Sequence, residues 1–561
     1  MTGRLATARR SGAAASPVAS GWNLLLVTAF VSGFALRAWQ VDIQILLEDE
    51  WHAIHKLLRS SALDIVTHLG HADYSIPLTL YYQWLERNVG LSEWSMHAPS
   101  VVAAVALLLI GPSLITRWSP PPVRAIWLAL VAVSPLFVYF AKIARPYALT
   151  SVLTFVGIVA FRAWWREGRR FHAIAYVVTT FLAGWLHLVS LGFALLPLAY
   201  YGLAAIVALW RATSADRTTA RLGLRRVIAI GVATALPLAL VLLPPVIMDR
   251  EVLAWKAGRD HVTVDSVYRT LLMLAGTGHA GLGVALWASV AYGWMRLHAR
   301  DAELARYLAT IVVVGFVACA ASGAYFIAHP LVLARYATPA LPFVLLLAAE
   351  GIYAALVAIA SAPLRPLAAA GLVIALLLTG PIPREWRYPN QFWGHMMYQF
   401  DYDPAHNPYV DAIAQIPISP FYQSLASRAP GSVTLVEMPW RIESQFNALP
   451  RFQAVHRQRV KVALITPTCG VYDWGQYPES RSGMRMREMV HLSALLRGEV
   501  DDADYLVVHR HPPQEPWPDL RGCLPLIEAK FGAPVYRDDA ITVFSIAQVS
   551  PLGNTHRPVQ Q

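Results

Sequence analysis

Two adjacent carboxylates, Asp49 and Glu50, stand directly after the first long apolar segment of the chain. Carboxylates at the edge of a membrane are costly to desolvate, and they are seldom placed there without a partner or a chemical task. An acid in this position could act as a general base on a substrate hydroxyl. The alternative is that both acids are solvated and cap an interfacial helix near its positive end.

A second group of candidates is cationic. Lys142, Arg145 and Arg335 are predicted at the ends of apolar segments on the side that otherwise carries few basic residues. Three cations near one interface could hold a lipid phosphate, with arginine binding in a bidentate manner. The alternative is that their side chains extend to lipid headgroups.

Weaker candidates for a substrate pocket are polar or aromatic residues on the same predicted side. They are His52, His71, Asp73, Tyr147, His187 and Arg269. Interfacial hydrogen bonding and an aromatic belt explain such residues equally well. An Asp/His cluster leaves a divalent cation open as a cofactor, but no metal-ligand spacing requires one.

The composition shows which elements must position these residues. Of the 561 residues, 56% are hydrophobic and 14% are charged, whereas soluble domains average about 25% charged. The apolar residues fall in windows of roughly 20, the length that crosses a bilayer. The net charge of +11 does not indicate nucleic-acid binding, because most basic residues lie in short loops between apolar segments. The chain is therefore predicted to be a polytopic α-helical membrane protein.

Eleven membrane spans are predicted from the apolar windows. They are residues 22–41, 98–116, 124–141, 147–165, 171–188, 190–210, 226–248, 270–295, 306–328, 337–358 and 366–382. Arginines concentrate in alternate short loops, which indicates a cytoplasmic N-terminus in a cytoplasmic (inner) membrane. The odd number of spans then places the C-terminal domain outside.

This topology divides the chain into three parts. Residues 1–21 form a cytoplasmic tail, residues 22–382 a transmembrane domain, and residues 383–561 an extracytoplasmic soluble domain. The first outer loop, 42–97, is far longer than usual connections, and such loops are usually functional. Near Asp49, apolar residues recur at helical spacing while the charged ones fall on another face, which predicts an amphipathic interfacial helix.

The C-terminal domain is predicted to be a small α/β domain. Its strand patterns are residues 433–436, 461–465, 505–508, 534–536 and 542–544, and its helical patterns are residues 441–450 and 484–498. Two of the three cysteines, Cys469 and Cys523, lie in this domain. If the domain is extracytoplasmic they could form a disulfide, and two unpaired thiols are the equal alternative.

Five short motifs now form a series along one predicted face. They are Asp49-Glu50, the stretch 71–82, the stretch 90–100, the stretch 134–149 with Arg145-Pro146-Tyr147, and the stretch 334–342 with Arg335-Tyr336. Over residues 40–360 this series resembles the GT-C glycosyltransferase superfamily. More narrowly, it resembles bacterial relatives of protein O-mannosyltransferases and of the aminoarabinose transferase that modifies lipid A. The chain departs from the family pattern at 73–78 and at His97, where an arginine is common.

The resemblance implies a sugar donor carried on polyprenyl phosphate and transfer to an envelope lipid, glycan or protein acceptor at the outer face. It implies an inverting reaction in which Asp49 is the base and Glu50 orients the acceptor or the base. Lys142, Arg145 and Arg335 would then hold the departing phosphate. Two rivals stay open, a transporter or flippase of lipid-linked saccharide and a non-catalytic scaffold. A transporter predicts polar residues deep in the spans and broken helices in corresponding halves.

Overall fold

The computed structural model describes most of the transmembrane domain and the core of the C-terminal domain. The described residues are 17–39, 41, 50, 53, 57, 60–70, 74–213, 216–258, 260–383, 417–439, 449–465, 468–469, 489–510 and 520–546.

Among the described residues of the transmembrane domain, nineteen α-helices follow one another along the chain. They are α1 Pro17–Ala38, α2 Ala62–Thr67, α3 Ile76–Asn88, α4 Glu93–Leu114, α5 Pro121–Val133, α6 Pro135–Ala141, α7 Tyr147–Glu167, α8 Arg170–Leu186, α9 Leu191–Ala194, α10 Leu196–Arg211, α11 Arg217–Met248, α12 Arg250–Lys256, α13 Val264–Ala275, α14 Ala280–Arg300, α15 Ala302–Ala309, α16 Gly315–Ala321, α17 Pro330–Ala337, α18 Leu341–Ile359 and α19 Arg365–Thr379. A π-helical turn, Thr310–Val314, joins α15 to α16.

The chain is a multi-pass membrane protein. Within the described residues, eight helices are long and apolar enough to cross a bilayer, and two bent pairs raise the number to ten. The one remaining predicted span, 171–188, coincides with α8, a helix of 17 residues. Each predicted span therefore corresponds to a helix or a pair of helices.

Two predicted spans are bent rather than straight. The span predicted at 124–141 breaks between α5 and α6 with a bend of 57°, because Pro135 cannot supply the amide that a continuous helix needs. The span predicted at 270–295 breaks between α13 and α14 with a bend of 79°. Gly276 ends α13 in the left-handed conformation, with φ of 76°, which glycine adopts without strain. The predicted span 270–295 is therefore divided between two helices, α13 and α14.

The fully buried Arg37 stabilises the α5–α6 break. Its guanidinium donates hydrogen bonds to the carbonyls of Ala132 and Val131, at 3.1 and 3.0 Å. These carbonyls lie in the last turn of α5, where intrahelical donors are missing. A cation at a helix C-terminus also interacts favourably with the helix dipole.

A buried acid lies at the opposite end of α7 from Tyr147. Glu350 of α18 accepts a hydrogen bond from the Ser119 hydroxyl at 2.7 Å and pairs with Arg300 at 2.8 Å. Nearby, Arg162 of α7 pairs with Asp301 and Glu303. Charges buried at this end are thus matched by opposite charges, as burial requires.

The C-terminal domain contains a six-stranded mixed sheet. Its strands are β1 Thr434–Met438, β2 Arg459–Leu464, β3 Met489–His491, β4 Tyr505–His509, β5 Tyr536–Arg537 and β6 Ile541–Ser545, in the order β3-β2-β1-β4-β6-β5. The first four strands are parallel, and β6 pairs antiparallel with β4. Its helices are α20 Pro420–Leu425, α21 Leu449–His456, α22 Leu492–Arg497 and α23 Leu524–Phe531. The predicted α/β domain is confirmed.

Two helix predictions in this domain lie partly outside the described residues. Of the helix predicted at 441–450, only Leu449 and Pro450 are described, and they begin a helix that ends at His456; proline is tolerated in a first turn. The helix predicted at 484–498 is wrong at Met489–His491, which forms β3, and is confirmed at Leu492–Arg497. The strand forms because Val490 pairs with Ala463 of β2.

The two cysteines of the domain form a disulfide, Cys469–Cys523, with a Cα–Cα distance of 5.0 Å. This result decides between the two alternatives that the sequence left open. Cys319 is a buried free thiol in the transmembrane domain.

One apolar cluster contains residues of both domains. It includes Leu78 and Tyr82 of α3 together with Phe421 and Leu435 of the C-terminal domain, and also Leu57 of the first loop.

The predicted interfacial helix is described at three residues, Glu50, Ala53 and Leu57. All three are helical and buried. Their spacing places them on one helical face.

Candidate functional site

The site is built around the connection between α6 and α7, which carries Lys142 and Arg145. Three side chains from different elements hold its backbone. The Ala144 amide donates to the Glu50 carboxylate, the Tyr82 hydroxyl donates to the Ala144 carbonyl at 2.9 Å, and the Ser100 hydroxyl donates to the Arg145 carbonyl at 3.2 Å. The backbone beneath Arg145 is therefore set by contacts from the first loop, α3 and α4.

Glu50 is tied to the transmembrane domain on a second side. Its Oε1 lies 2.9 Å from Nε2 of His97, in the first turn of α4, and both side chains are fully buried. The other ring nitrogen of His97 lies 3.2 Å from the carbonyl oxygen of Val41. Glu50 thus bonds to protein groups on two other elements. Burial and these contacts argue against contact between Glu50 and a substrate, and indicate a role in holding its neighbours.

Arginine and aromatic side chains converge beside this connection. The Arg335 guanidinium lies over the Tyr147 ring at 5.5 Å and over the Tyr336 ring at 5.3 Å. The His187 ring lies 5.5 Å from both of those tyrosine rings. Arg335 and Arg145 both act electrostatically on His187. The ends of α7, α8 and α17 thus bring two arginines, a histidine and two tyrosines to one place, and we call these five residues the cationic cluster.

The cationic cluster is half open and half enclosed. Arg145, Arg335, Tyr336 and His187 are each partly exposed, so a ligand can reach them. Lys142, in contrast, is 2% exposed and lies in the same connection as Arg145. Guanidinium groups of this kind bind carboxylate and phosphate through charge-assisted hydrogen bonds. The arrangement is suited to an anion.

The structure tests the candidate residues unequally. It places Arg145, Arg335, Tyr147 and His187 close together, and their roles stay predictions. Arg269 lies on α13, where its Nε donates to Asp265 one turn earlier at 2.8 Å. This contact gives Arg269 a local helical partner.

Four candidates lie outside the described residues. They are Asp49, His52, His71 and Asp73. Their predicted roles stay predictions. Among the residues that the structure describes, no group of three or more His, Cys, Asp or Glu side chains could hold a metal ion.

Sequence reasoning missed three contributors to the site. His97 was noted only as a departure from a family motif, and Tyr82 and Tyr336 only as parts of motifs. A buried partner for an acid 47 positions away leaves no periodic signal, because the contact is made by tertiary packing. The one available signal was the motif itself, since Arg335 and Tyr336 are adjacent.

No protein-family model matches the chain, and no curated protein matches it. Solved structures of ArnT from Cupriavidus metallidurans are similar in overall arrangement. The apo crystal structure is 13% identical with a TM-score of 0.46, and the crystal structure bound to undecaprenyl phosphate is 13% identical with a TM-score of 0.43. Each match covers 96% of this chain and 100% of the other.

Proposed function

We propose that this protein is a membrane glycosyltransferase that moves a sugar from a polyprenyl-phosphate carrier to an acceptor at the extracytoplasmic face. The acceptor class is an envelope lipid, glycan or protein. The observation that carries the proposal is the cationic cluster beside Lys142, on a backbone that is bonded directly to the residue after Asp49. Glu50, the residue after the candidate base, thus bonds to the connection that carries the proposed phosphate ligands.

Each part of this arrangement has a chemical task. The acceptor oxygen attacks the anomeric carbon from the face opposite the phosphate, and its proton passes to the Asp49 carboxylate. The bond between the anomeric carbon and the phosphate oxygen breaks, and its electron pair leaves with the polyprenyl phosphate. Arg145, Arg335 and Lys142 stabilise the negative charge of that leaving group. No second acid is needed, because a phosphate leaves without protonation, and the product is inverted at the anomeric carbon.

The orientation follows the charge bias of the loops and places the C-terminal domain outside the cytoplasmic membrane. The Cys469–Cys523 disulfide supports this placement, because disulfides persist in oxidising compartments. The donor would enter laterally from the outer leaflet, so that only its phosphate and sugar leave the hydrocarbon region.

The proposal is tested with the purified protein in lipid nanodiscs that contain a polyprenyl-phosphate sugar. We expect the wild type to release polyprenyl phosphate when an acceptor fraction from the cell envelope is added. Arg335→Gln should reduce kcat/KM by roughly 10- to 100-fold, because a charge-assisted hydrogen bond contributes about 1.5–3 kcal/mol. Arg211→Gln is the matched control, since Arg211 is exposed at the end of α10.

Two outcomes would overturn the proposal. If Arg335→Gln released polyprenyl phosphate at the wild-type rate, the assignment of Arg335 to a phosphate-binding site would be wrong. Movement of the intact lipid-linked sugar across the bilayer, with no cleavage of the donor, would favour the transporter.

A further inference from the structure

The Glu50–His97 contact lies between the elements that carry the proposed base and the proposed phosphate site. Glu50 belongs to the first loop, His97 to α4, and Ala144 to the connection between α6 and α7. The Glu50 carboxylate accepts from the Ala144 amide and lies 2.9 Å from His97. All three residues are buried, at 0%, 0% and 1% exposure. One carboxylate therefore joins three separate parts of the chain.

The His97 ring faces an acceptor on each side. Its Nδ1 faces the Val41 carbonyl oxygen at 3.2 Å, and a carbonyl has no hydrogen to donate. Its Nε2 faces Glu50 Oε1, which also accepts the Ala144 amide hydrogen. Nδ1 therefore donates to the Val41 carbonyl, and the ring lies between the Val41 backbone and the Glu50 carboxyl group.

We propose that His97 is a positioning residue, which holds Glu50 against the Ala144 amide. This inference rests on the proposed function. It assigns Glu50 to positioning too, in place of the acceptor-orienting role that the family resemblance implied. We call the contact of Glu50 with His97 and Ala144 the latch.

The latch acts on catalysis through short covalent connections. Asp49 is the residue before Glu50, and consecutive Cα atoms are about 3.8 Å apart. Arg145 is the residue after Ala144 and stands at the same separation. The latch therefore fixes Glu50, the residue after the proposed base, against Ala144, the residue before a phosphate-binding arginine. That distance matters most in the transition state, because the proton leaves the acceptor while charge develops on the phosphate.

The first readout is independent of activity. Hydrogen exchange followed by mass spectrometry measures the protection of peptides covering residues 136–150, which contain the Ala144 amide. In Glu50→Gln and in His97→Phe we expect faster exchange in these peptides than in the wild type. Glu350→Gln is the matched control. Like Glu50, Glu350 is a buried acid that contacts other side chains, here Ser119 and Arg300. Unchanged exchange in both latch variants would overturn the proposal.

The second readout separates positioning from mere stability. In the transfer assay we expect Glu50→Gln to lower kcat by about 100-fold, the effect of a misplacement of roughly 1 Å, while KM for the donor changes little. The double variant Glu50→Gln/His97→Gln replaces the two side chains of the contact with two amides that can bond to each other. It should regain part of the lost kcat and protection. Faster exchange with an unchanged kcat would show that the contact is only structural, and would contradict the positioning role.

The failure of this inference differs from the failure of the proposed function. If the wild type never cleaves the donor, the proposed function fails and the latch loses its catalytic meaning. If the wild type cleaves the donor and the latch variants match it in kcat, the proposed function stands and only the positioning role fails.

Discussion

The residues of the candidate site differ in burial, and their proposed roles differ with it. Arg145 and Arg335 are partly exposed and can meet a ligand. Glu50 and His97 are fully buried and meet each other. A fully buried acid that bonds to two protein donors is a weak candidate for proton transfer to a substrate. The neighbouring Asp49 is thereby the stronger candidate for the base.

The sequence revealed part of this site. The types of Lys142, Arg145 and Arg335 and their predicted place at span ends sufficed to select them, because cations on the sparsely charged side of a membrane protein are unusual. The partner of Glu50 could not be selected in the same way. A histidine in the first turn of an apolar helix has many ordinary explanations, and only folding brings His97 to Glu50.

A prediction at this scale concerns His456, at the end of α21. Its ring is fully buried and stacks on Tyr422, and burial lowers the pKa of His456 from its ordinary value to about 3. Its Nδ1 accepts from the Gln458 amide at 2.9 Å. Because the ring is neutral in the folded domain and titrates near 6.5 when unfolded, protons favour the unfolded state below that pH.

The resulting stability is complete above about pH 6.5 and is lost as the pH falls towards 3. The slope from this one group is about 1.4 kcal/mol per pH unit. We expect the thermal unfolding temperature of the C-terminal domain to fall between pH 7 and pH 5, and to fall less in His456→Asn, which keeps an acceptor for Gln458. His261→Asn, at an exposed position, is the control. An equal pH dependence in wild type and His456→Asn would contradict this account.

At the scale of elements, the closest packing in the described bundle joins α14 to α18. A Cβ added to Gly293 would lie 1.9 Å from the Leu347 carbonyl oxygen, and one added to Gly351 would lie 1.9 Å from the Ser289 carbonyl oxygen. The two backbones are therefore in direct contact. Small residues allow such contact in membranes, where packing rather than the hydrophobic effect drives helix association.

We expect Gly293→Ala and Gly351→Ala to force these helices apart and to destabilise the protein by about 1–3 kcal/mol, the usual effect of overpacking. Gly371→Ala is the matched control in α19, because nothing lies within 4 Å of its added Cβ. That control should be neutral or slightly stabilising, since alanine is the better helix former. Thermal unfolding in detergent measures all three. A wild-type unfolding temperature for Gly293→Ala would contradict the close crossing.

Element prediction succeeded where one force dominates. Hydrophobic windows identified every span, because crossing a bilayer requires a long apolar run. The hydrophobic windows did not show the bend at Gly276. There the left-handed backbone conformation of the glycine ends α13 within an apolar stretch. In the C-terminal domain, β3 escaped prediction because three residues are too few to show a period, and pairing with β2 decides their conformation.

At the scale of the whole molecule, the C-terminal domain is closed by a covalent bond between distant segments. The Cys469–Cys523 disulfide joins residues 54 positions apart. On the chain-entropy account, a loop of this size contributes about 4 kcal/mol. The double variant Cys469→Ser/Cys523→Ser should therefore lower the unfolding temperature of this domain in the full-length protein.

Thiol alkylation measures directly whether Cys469 and Cys523 are joined by a disulfide. Without reduction, the wild type should gain at most one label, at Cys319, and after reduction and unfolding it should gain three. Labelling of all three cysteines in the unreduced, unfolded protein would contradict the disulfide and would weaken the extracytoplasmic placement of the domain.

The two domains are not independent in this fold. One apolar cluster includes Leu57 of the first loop, Leu78 of α3 and Phe421 of the C-terminal domain. The sequence showed a change of composition after residue 382, and from this it predicted separate domains. The sequence could not show that apolar surfaces of the two domains meet. The apolar residues of such a contact have the same pattern as residues in the core of a single domain.

The central claim is that Asp49 removes the acceptor proton beside a phosphate site that this chain builds from Arg145, Arg335 and Lys142. The most direct measurement is the single-turnover rate of sugar transfer from a polyprenyl-phosphate donor by Asp49→Asn, with donor binding measured on the same samples. The account predicts a rate at least 100-fold below wild type, the usual contribution of a general base, with donor binding nearly unchanged. A wild-type rate in Asp49→Asn would contradict it.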